Sequence, residues 1–428
     1  MAHLLIIELP GGNDIDILLA AQQRGDTVCF LSADLGHYRA QPAVWASIKA
    51  LHTRIEVPGF DDAEVLRQVR AAHARRRFDA LLCLVDIRLV EAARLAQALS
   101  LRHITPDTAA LLRDKSRVRQ RLAEAGLAGD DYAWAESNAE LRAAVERLGL
   151  PVLIKPVDGY GSQNIIALHH ADELEPWLTP LDDLIPCRAD YGLGVHASDR
   201  WLVERFHHGQ LFGCDVFSRD GRHTLIGVHE KLMFEPPSFA MRGSTFCPRS
   251  PAHDAIAACV GRWLDAVGFD HGACHVELML TQAGPRLVEI NGRLVGARIA
   301  RLASLTLGRS LHAELIALHA GEPDPIEAAP AASTVGVIRW IVSERHGVLA
   351  GVDLPVDGAA GASDAPRIRC IEMLKHAGDA VRVPLENADR IGYVMASGAS
   401  RPAVEALADD HVAAVRLRFA DAAPGSAR

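Results

Sequence analysis

Lysine is scarce in this sequence. Only five of its 45 basic residues are lysine, so arginine is the ordinary cation of the chain and the position of each lysine is informative. A basic excess is missing too: the formal net charge is −9, and the arginines are dispersed apart from a short run at 73–79, HARRRFD. This acidic balance gives no indication of a nucleic-acid partner, and a solvated helix end accounts for the basic run. The lysines are Lys49, Lys115, Lys155, Lys231 and Lys375.

Paired cysteines and long apolar runs are also absent. The eight cysteines stand singly, without a CxxC pair, as is typical of reduced thiols in a cytosolic protein. The first residues, MAHLLIIELPGG, lack a basic region, and their apolar run is too short for a signal peptide or a membrane span. We therefore expect a cytoplasmic protein without a membrane partner, beginning with a β-strand.

The chain is globular in composition and long enough for two or three domains. It has 428 residues, of which 49% are hydrophobic and 23% charged. LLIIEL, DIDILLAAQQRG and TVCFLSAD predict strand, helix and strand. A second round follows in FDALLCLVD, RLVEAARLAQALS and a short strand RHITP. This alternation predicts an open parallel α/β domain in roughly the first 105 residues.

One long helix is predicted next, over DTAALLRDKSRVRQRLAEAGL. Asp107 is placed to cap its start, and a glycine lies near its end. The apolar stripe on the buried side of this helix includes a lysine, Lys115. The alternative is a lysine at the edge of the stripe, whose side chain extends to solvent. The stripe consists of Leu111, Lys115, Val118 and Leu122.

A Gly-rich turn follows the strand that carries Lys155, in PVLIKPVDGYGSQNI. Gly159, Gly161 and Ser162 would allow backbone N–H groups to approach an anion closely, with Lys155 supplying charge. The turn does not match a Walker A loop, and an ordinary hairpin is the more common meaning of such a turn. Further along, EPPSFAMRGSTFCP predicts a long irregular loop, and roughly the last 90 residues predict short strands with turns.

The stretch 274–296, CHVELMLTQAGPRLVEINGRLVG, predicts a β-hairpin with an unusual polar face. If the five turn residues 281–285 are centred on Ala283, Glu277 lies opposite Glu289 and His275 opposite Asn291, all on one face. The other face is apolar and suits a core. Its residues are Val276, Leu278, Leu280, Val288 and Ile290.

Two facing carboxylates need an explanation, because like charges opposite each other destabilise a sheet and raise one pKa. A bound cation provides one, since carboxylates and an amide oxygen are the hard ligands that Mg²⁺ takes when it also holds phosphates. A solvated hairpin face and a proton shared between the carboxylates are the alternatives.

The order of these motifs resembles the ATP-grasp superfamily and, among its members, the L-amino acid ligases, which join amino acids into dipeptides. The resemblance rests on RDK at 113–115, PVLIKPVDGYGS at 151–162, LVERF at 202–206 and HVELMLTQAGPRLVEINGRLVG at 275–296. It implies an α/β (α+β) ATP-grasp fold in four parts: a parallel pre-ATP-grasp α/β domain at 1–108, a central lid subdomain at 109–200, a metal-bearing antiparallel core at 201–330 and C-terminal strands at 331–428.

The resemblance also assigns roles. Lys115 and Lys155 would contact the phosphates of ATP, under a closing loop that contains Gly159, Gly161 and Ser162. The adenine would lie against Glu204 and the backbone near Phe206. Two Mg²⁺ ions, or Mn²⁺ in their place, would be held by Glu277, Glu289 and Asn291.

Residues beyond the metal face are less constrained. Arg293 suits a transferring phosphoryl group or an oxyanion, or else caps a helix. His275 lies on the same hairpin face as Glu277 because side chains alternate along a strand, although a neutral histidine in the core explains its position equally well. The loop 229–249 and the residues Gly296, Ala297 and Arg298 would border the acceptor site, where Arg298 would bind a carboxylate and the small Ala297 would leave room for a side chain.

Two features depart from the family pattern. Many ATP-grasp chains place an acidic residue two positions after the hinge glycine to bind ribose, whereas Gly209 is followed by Gln210 and Leu211. Asp215 or Glu204 would then substitute. Tyr160 makes the Gly-rich turn bulkier than usual.

The expected function is an ATP-dependent carboxylate-amine ligase that forms an amide through an acyl phosphate. Its partners would be small-molecule carboxylates and amines, with amino acids first among them, and the resemblance implies a homodimer. Alternatives are a ligase for bicarbonate or another carboxylate, a kinase that stops at the acyl phosphate, and an inactive nucleotide-binding regulatory protein.

Overall fold

The computed structural model describes residues 1–60, 62–129, 131–159, 164–181, 200–235, 238–250, 252–323, 334–355 and 365–420. The chain forms two compact units. The first comprises Met1–Gly227, Pro251–Arg301 and Arg309–Ala328, and the second comprises Val228–Ser250, Leu302–Gly308 and Ala329–Arg428. The division into four parts implied by the resemblance stays a prediction.

The first unit begins with a parallel sheet of four strands, in the order β3-β2-β1-β4. Its central strand β1 is buried along its whole length, as expected for a strand covered on both faces. The open parallel α/β domain is therefore confirmed. Its elements are β1 His3–Ile7, α1 Asp16–Arg24, β2 Thr27–Ser32, α2 Leu35–Arg39, α3 Pro42–Lys49, β3 Thr53–Glu56, α4 Asp62–Arg75, β4 Ala80–Cys83 and α5 Leu89–Leu99.

Two predictions are wrong in the segment that follows. RHITP is not a strand, and the predicted single helix is two helices, α6 Pro106–Leu112 and α7 Lys115–Glu124. Thr105, not Asp107, caps α6 through its side chain, because Pro106 fixes the first helical position. Asp114 ends the first helix and caps the second by accepting the N–H groups of Ser116 and Arg117.

A four-stranded antiparallel sheet, in the order β5-β8-β6-β7, carries Lys155 on β6 and Glu204 on β8. The apolar stripe of α8 packs on this sheet, where Leu141 and Val145 join a core with Val152 and Ile154. The elements are β5 Tyr132–Ala135, α8 Asn138–Leu148, β6 Val152–Pro156, β7 Ile166–Leu168, α9 Leu174–Leu181 and β8 Trp201–Arg205.

The hairpin lies at one end of the next sheet, where the strands of the first unit run in the order β13-β12-β9-β10. Part of the segment predicted as a long irregular loop is instead the strand β11, which pairs with β10 on one side and β14 on the other. The elements are β9 Gln210–Arg219, β10 Arg222–Met233, β11 Met241–Cys247, α10 His253–Val267, β12 Gly272–Thr281, β13 Gly284–Asn291, α11 Ile299–Leu307 and α12 Leu311–His319.

The second unit is richer in helix than the sequence predicted. Strands β10, β11, β14, β18 and β16 follow one another in its main sheet, and β17, β15 and β19 form a smaller one. An unpredicted helix, α13, buries Val404 and Ala408 against Val337 and Ala396 of the main sheet. The elements are β14 Val335–Ile341, β15 Gly347–Asp353, β16 Arg367–Met373, β17 Ala380–Val381, β18 Gly392–Gly398, α13 Arg401–Ala414 and β19 Arg416–Phe419.

No helix among the described residues combines the length and apolar character needed to cross a membrane. The seven cysteines in the described part of the chain are free thiols.

Candidate active site

The carboxylate hairpin has the predicted pairing but not the predicted turn. Glu277 lies opposite Glu289 and His275 opposite Asn291, so the predicted pairs are confirmed. The turn is tighter than the five residues expected, because Thr281 pairs with Gly284. A β-bulge between Glu277 and Leu278 shifts the register by one residue and brings the two glutamates opposite each other.

Lys115 provides the positive charge next to these carboxylates. It occupies the first position of α7 and is 8% exposed. Its Nζ lies 2.8 Å from Oε1 of Glu289 and donates to the carbonyl of Gly159 at 2.6 Å. Burial and the charge of Glu277 would raise the pKa of Glu289, but the ammonium of Lys115, together with that of Lys155, reverses the direction and lowers it.

A second buried network surrounds Lys155. Its Nζ lies 2.6 Å from Oε2 of Glu204, and Nε of Arg119 lies 2.6 Å from Oε1 of the same carboxylate. Nζ of Lys155 also donates to the carbonyl of Val288 at 3.3 Å, and Nη2 of Arg119 donates to that carbonyl at 2.9 Å. The bulged strand is thereby tied to both cations.

The pKa shifts in this network follow from burial and neighbouring charge. Burial lowers the pKa of Lys155, and the attraction of Glu204 offsets only part of that effect. Burial would raise the pKa of Glu204, but Arg119 and Lys155 reverse the direction and lower it. One carboxylate is thus shared between the ammonium of Lys155 and the guanidinium of Arg119.

Arg293 is held by a residue that the sequence did not single out. Its Nε donates to Oδ2 of Asp86 at 2.6 Å, and Asp86 stands in the short helical turn directly after β4. Burial would lower the pKa of Arg293, but Asp86, Glu289 and Glu277 raise it. The contribution of both hairpin carboxylates indicates that this guanidinium belongs to the same site.

Two residues after Asp86, Arg88 has hydrogen-bonding groups without a partner. It is 5% exposed, and its Nε and Nη2 find no partner among the described residues. The guanidinium carbon lies 4.1 Å from the ring centre of Phe60, and Nη1 lies 3.5 Å from Oε1 of Glu91. Phe60 and Glu91 also border a pocket of about 180 Å³, whose other walls are Val65, Leu66, Arg94 and Leu95.

His275 is buried behind the hairpin carboxylates. Its Nδ1 lies 2.9 Å from Oδ1 of Asp215 on the neighbouring strand β9, and its Nε2 lies 3.6 Å from Oε1 of Glu277. This arrangement makes His275 a link between Asp215 and Glu277. It also gives Asp215 a partner, so a ribose-binding role for Asp215 has no support in the geometry.

Other predicted site residues lie further from this cluster or are already paired. Arg298 contacts Asp14, with Nη1 and Oδ1 at 2.6 Å. Gly296, Ala297 and Arg298 form a turn before α11, in which Ala297 and Arg298 adopt positive φ values of 56° and 59°. The amide of Phe206 donates to the carbonyl of Pro151 at 3.0 Å, so the N–H proposed for adenine has a partner. Tyr160, Gly161 and Ser162 lie outside the described residues.

The predicted metal ligands have a suitable donor set. Glu277 and Glu289 supply two facing carboxylates, and Asn291, 7% exposed, supplies an amide oxygen on the same face. Across the part of the chain that the structure describes, no group of three or more His, Cys, Asp and Glu residues could hold a metal ion. Two carboxylates and one amide nevertheless fit Mg²⁺, which takes a few protein oxygens and completes its shell with phosphates and water.

Comparison with known proteins identifies the class of protein. Residues 148–304 match the ATP-grasp domain family, and residues 339–420 match the L-amino acid ligase C-terminal domain 2. The chain therefore carries an ATP-grasp domain, followed by a segment similar to the C-terminal domain of the L-amino acid ligases.

Structural similarity extends over nearly the whole chain. The crystal structure of an L-amino acid ligase from Bacillus licheniformis matches with a TM-score of 0.77 at 18% identity, covering 98% of this chain and 99% of that one. This match confirms the expected ATP-grasp fold.

The relatives found by sequence match this chain over only part of their length. An uncharacterized protein of Sinorhizobium fredii is 28% identical over 69% of the chain, and carnosine synthase 1 of Gallus gallus is 25% identical over 80%. The L-arginine-specific L-amino acid ligase of Bacillus subtilis is 23% identical over 54%. The chain spans 58%, 38% and 55% of these three proteins, respectively.

Proposed function

We propose that this protein is an ATP-dependent ligase that joins the carboxylate of one amino acid to the amine of another. The observation that carries the proposal is the pairing of Glu277 with Glu289 beside Lys115, with Arg293 near both carboxylates. The match of residues 339–420 to the C-terminal domain of L-amino acid ligases supports the choice of amino acids as substrates.

The chemistry has two steps. A carboxylate oxygen of the first substrate attacks the γ-phosphorus of ATP, and the bond to the bridging oxygen breaks to give an acyl phosphate and ADP. The amine nitrogen of the second substrate then attacks the acyl carbon, loses a proton and displaces inorganic phosphate. Both steps depend mainly on positioning and on neutralising phosphate charge.

The buried cations are suited to that task. Lys115 and Lys155 are ammonium groups held by carboxylates in a water-poor region, where their attraction for a phosphate is strong. Arg293 is held at its Nε by Asp86, which orients its guanidinium. Glu277, Glu289 and Asn291 would hold Mg²⁺, which, when bound, would neutralise charge on the phosphate oxygens.

Arg88 is our candidate for recognising the second amino acid. A guanidinium that presents Nε and Nη2 together matches the two oxygens of a carboxylate. It stands after a parallel strand, at the sheet edge where open α/β proteins bind ligands. The pocket lined by Phe60, Val65 and Leu66 would receive an apolar side chain.

The test uses the purified protein with Mg-ATP and amino acids, offered singly and in all pairs. Phosphate release is measured beside mass detection of products, in the wild type and in Glu289→Gln. Glu175→Gln, in an exposed ion pair with Arg142, is the matched control. The proposal predicts phosphate release with a new dipeptide mass, lost in Glu289→Gln and kept in Glu175→Gln.

Three other outcomes would contradict the proposed ligase reaction. ADP formation that needs no amine would indicate a kinase that stops at the acyl phosphate. If no pair of amino acids supports turnover while bicarbonate or another carboxylate does, the protein is a different ATP-grasp ligase. ATP binding without turnover under every condition would indicate a regulatory protein.

A further inference from the structure

The second unit contains a buried arginine that the proposed reaction does not use. Arg390 precedes β18 and is 7% exposed. Its guanidinium stacks on Trp340, with the central carbon 4.0 Å from the ring centre. Nη2 donates to Oδ1 of Asn387, while Nε finds no partner among the described residues.

This guanidinium has no counter-charge among the described residues. The adjacent carboxylate of Asp389 is engaged elsewhere, accepting from Nε of Arg382 at 2.5 Å and from the amide of Leu385 at 2.9 Å. Burial lowers the pKa of Arg390 to about 9, with no carboxylate of the described residues opposing it. The group is still a cation at neutral pH. A buried, unpaired cation is costly to a folded protein and calls for an explanation.

Two further buried donors lie on the same side of the sheet. The indole Nε1 of Trp340 and the hydroxyl of Ser244 have no partner among the described residues. Ser244 pairs with Ile338 of β14, and Trp340 lies two residues further along that strand, so both side chains share one face. Arg339, between them, points the other way and pairs with Asp409 of α13 at 2.8 Å. The face that bears the three donors is therefore opposite to α13.

The donors match a small anion with a single charge. One guanidinium offsets one negative charge, and the neutral N–H and O–H groups add hydrogen bonds without adding charge. A phosphate dianion would leave excess negative charge buried. The free Nε on a planar guanidinium suits a carboxylate, whose oxygens lie in one plane.

We propose that Arg390 and Trp340 form a binding site for the carboxylate of a small monocarboxylic acid, such as a free amino acid, with Ser244 on the same face of the sheet. The site lies wholly within the second unit and goes beyond the proposed ligase reaction. Asn387 connects it to the strand β11, because the oxygen that accepts from Arg390 also accepts the amide of Met241 at 3.1 Å.

The test is thermal unfolding of the full chain without ATP or Mg²⁺, at constant ionic strength. Sodium acetate is compared with sodium chloride, and L-alanine with L-alaninamide, which lacks the carboxylate. A ligand that binds only the folded state raises Tm in a dose-dependent way. We expect acetate and L-alanine to raise Tm by about 2 °C or more, and chloride and L-alaninamide to have no such effect.

Three variants test whether the carboxylate-dependent rise in Tm arises at this site. Arg390→Met removes the charge but keeps apolar bulk over Trp340, so we expect an equal or higher Tm without ligand and no response to carboxylates. Trp340→Phe keeps the stacked ring and removes only the N–H, so about a tenfold higher carboxylate concentration should be needed for the same shift. Arg418→Met, in an exposed ion pair with Asp353 of the second unit, should respond like the wild type.

The proposal is overturned if the wild type shows no carboxylate-specific shift, or if the shift is unchanged in both Arg390→Met and Trp340→Phe. The second result would assign the binding to the first unit. Because no ATP is present, failure here leaves the ligase proposal untouched, and failure to form a dipeptide leaves this site untouched. If Arg390→Met does not fold, the Trp340→Phe response decides the outcome alone.

Discussion

Lys115 and Glu289 form a buried ion pair, with 2.8 Å between Nζ and Oε1, although the two residues lie on a helix and on a distant hairpin strand. The same Nζ donates to the carbonyl of Gly159, at the end of the strand segment that carries Lys155. One ammonium group thus joins the carboxylate face to the start of the Gly-rich turn.

Replacing this lysine tests its role directly. In Lys115→Met, Glu289 loses its cation while Glu277 still faces it, so the pKa of Glu289 should rise from its lowered value. We expect kcat/KM for ATP to fall by about 10²- to 10³-fold, the loss typical of one removed charge-stabilising donor. Lys49→Met, at an exposed position on α3, is the control and should keep wild-type kinetics. A normal kcat/KM in Lys115→Met would exclude Lys115 from the phosphate site.

Glu204→Gln should destabilise the fold, because it leaves Arg119 and Lys155 buried without their shared carboxylate. Removing one partner of a buried ion pair costs about 3–5 kcal/mol, so the midpoint of urea unfolding should drop clearly. In the control Glu175→Gln, whose carboxylate is solvent-exposed, the midpoint should not move. Equal midpoints for the two variants would mean that the buried network contributes little.

Arg88→Gln tests recognition of the second substrate. If the Nε and Nη2 groups of Arg88 hold a carboxylate, the KM for the amine-bearing amino acid should rise by about 10- to 100-fold. The KM for ATP should stay constant, because the variant leaves Lys115 and Lys155 in place. Arg70→Gln, exposed on α4, serves as the control. An unchanged KM for the amine would place its carboxylate elsewhere.

A cluster of three buried histidines should make the protein less stable to unfolding in acid. The rings of His103 and His271 lie 5.6 Å and 5.2 Å from that of His319. Burial lowers the pKa of His103 to about 4 and also lowers those of His271 and His319. The unfolded chain therefore binds protons more readily, and the stabilising contribution is complete above pH 6.5 and is lost as pH falls to about 4.

Urea unfolding between pH 7.5 and 4.5 measures this effect. His319→Gln removes one buried titrating ring, so its unfolding midpoint should fall less steeply with pH than that of the wild type. His376→Gln, at an exposed position, should follow the wild-type slope. Parallel curves for all three proteins would show that the cluster does not govern acid stability.

Local patterns in the sequence were sufficient for much of the candidate site. Alternation placed Glu277, Glu289 and Asn291 on one hairpin face, because the side-chain period of a strand is fixed. The break between α6 and α7 was missed because the apolar stripe continues across Asp114, the residue that caps the second helix. Periodicity alone cannot resolve such a choice.

Contacts distant in sequence could not be predicted in this way. Asp86 and Arg293 are 207 positions apart, and nothing local to either residue indicates the other. Arg88 and Arg390 looked like ordinary arginines in a sequence that uses arginine as its main cation. Their burial and missing partners arise from tertiary packing alone.

The bulge next to Glu277 has a consequence for engineering. Between the bulge and the tip, the strands pair through a register one residue out of step with that of the carboxylates. The tip residues Gln282 and Ala283 are therefore separated from Glu277 and Glu289 by an irregularity that absorbs a change in length. A short peptide tag or fluorophore attachment site inserted there would extend the hairpin outward while leaving the facing glutamates in place.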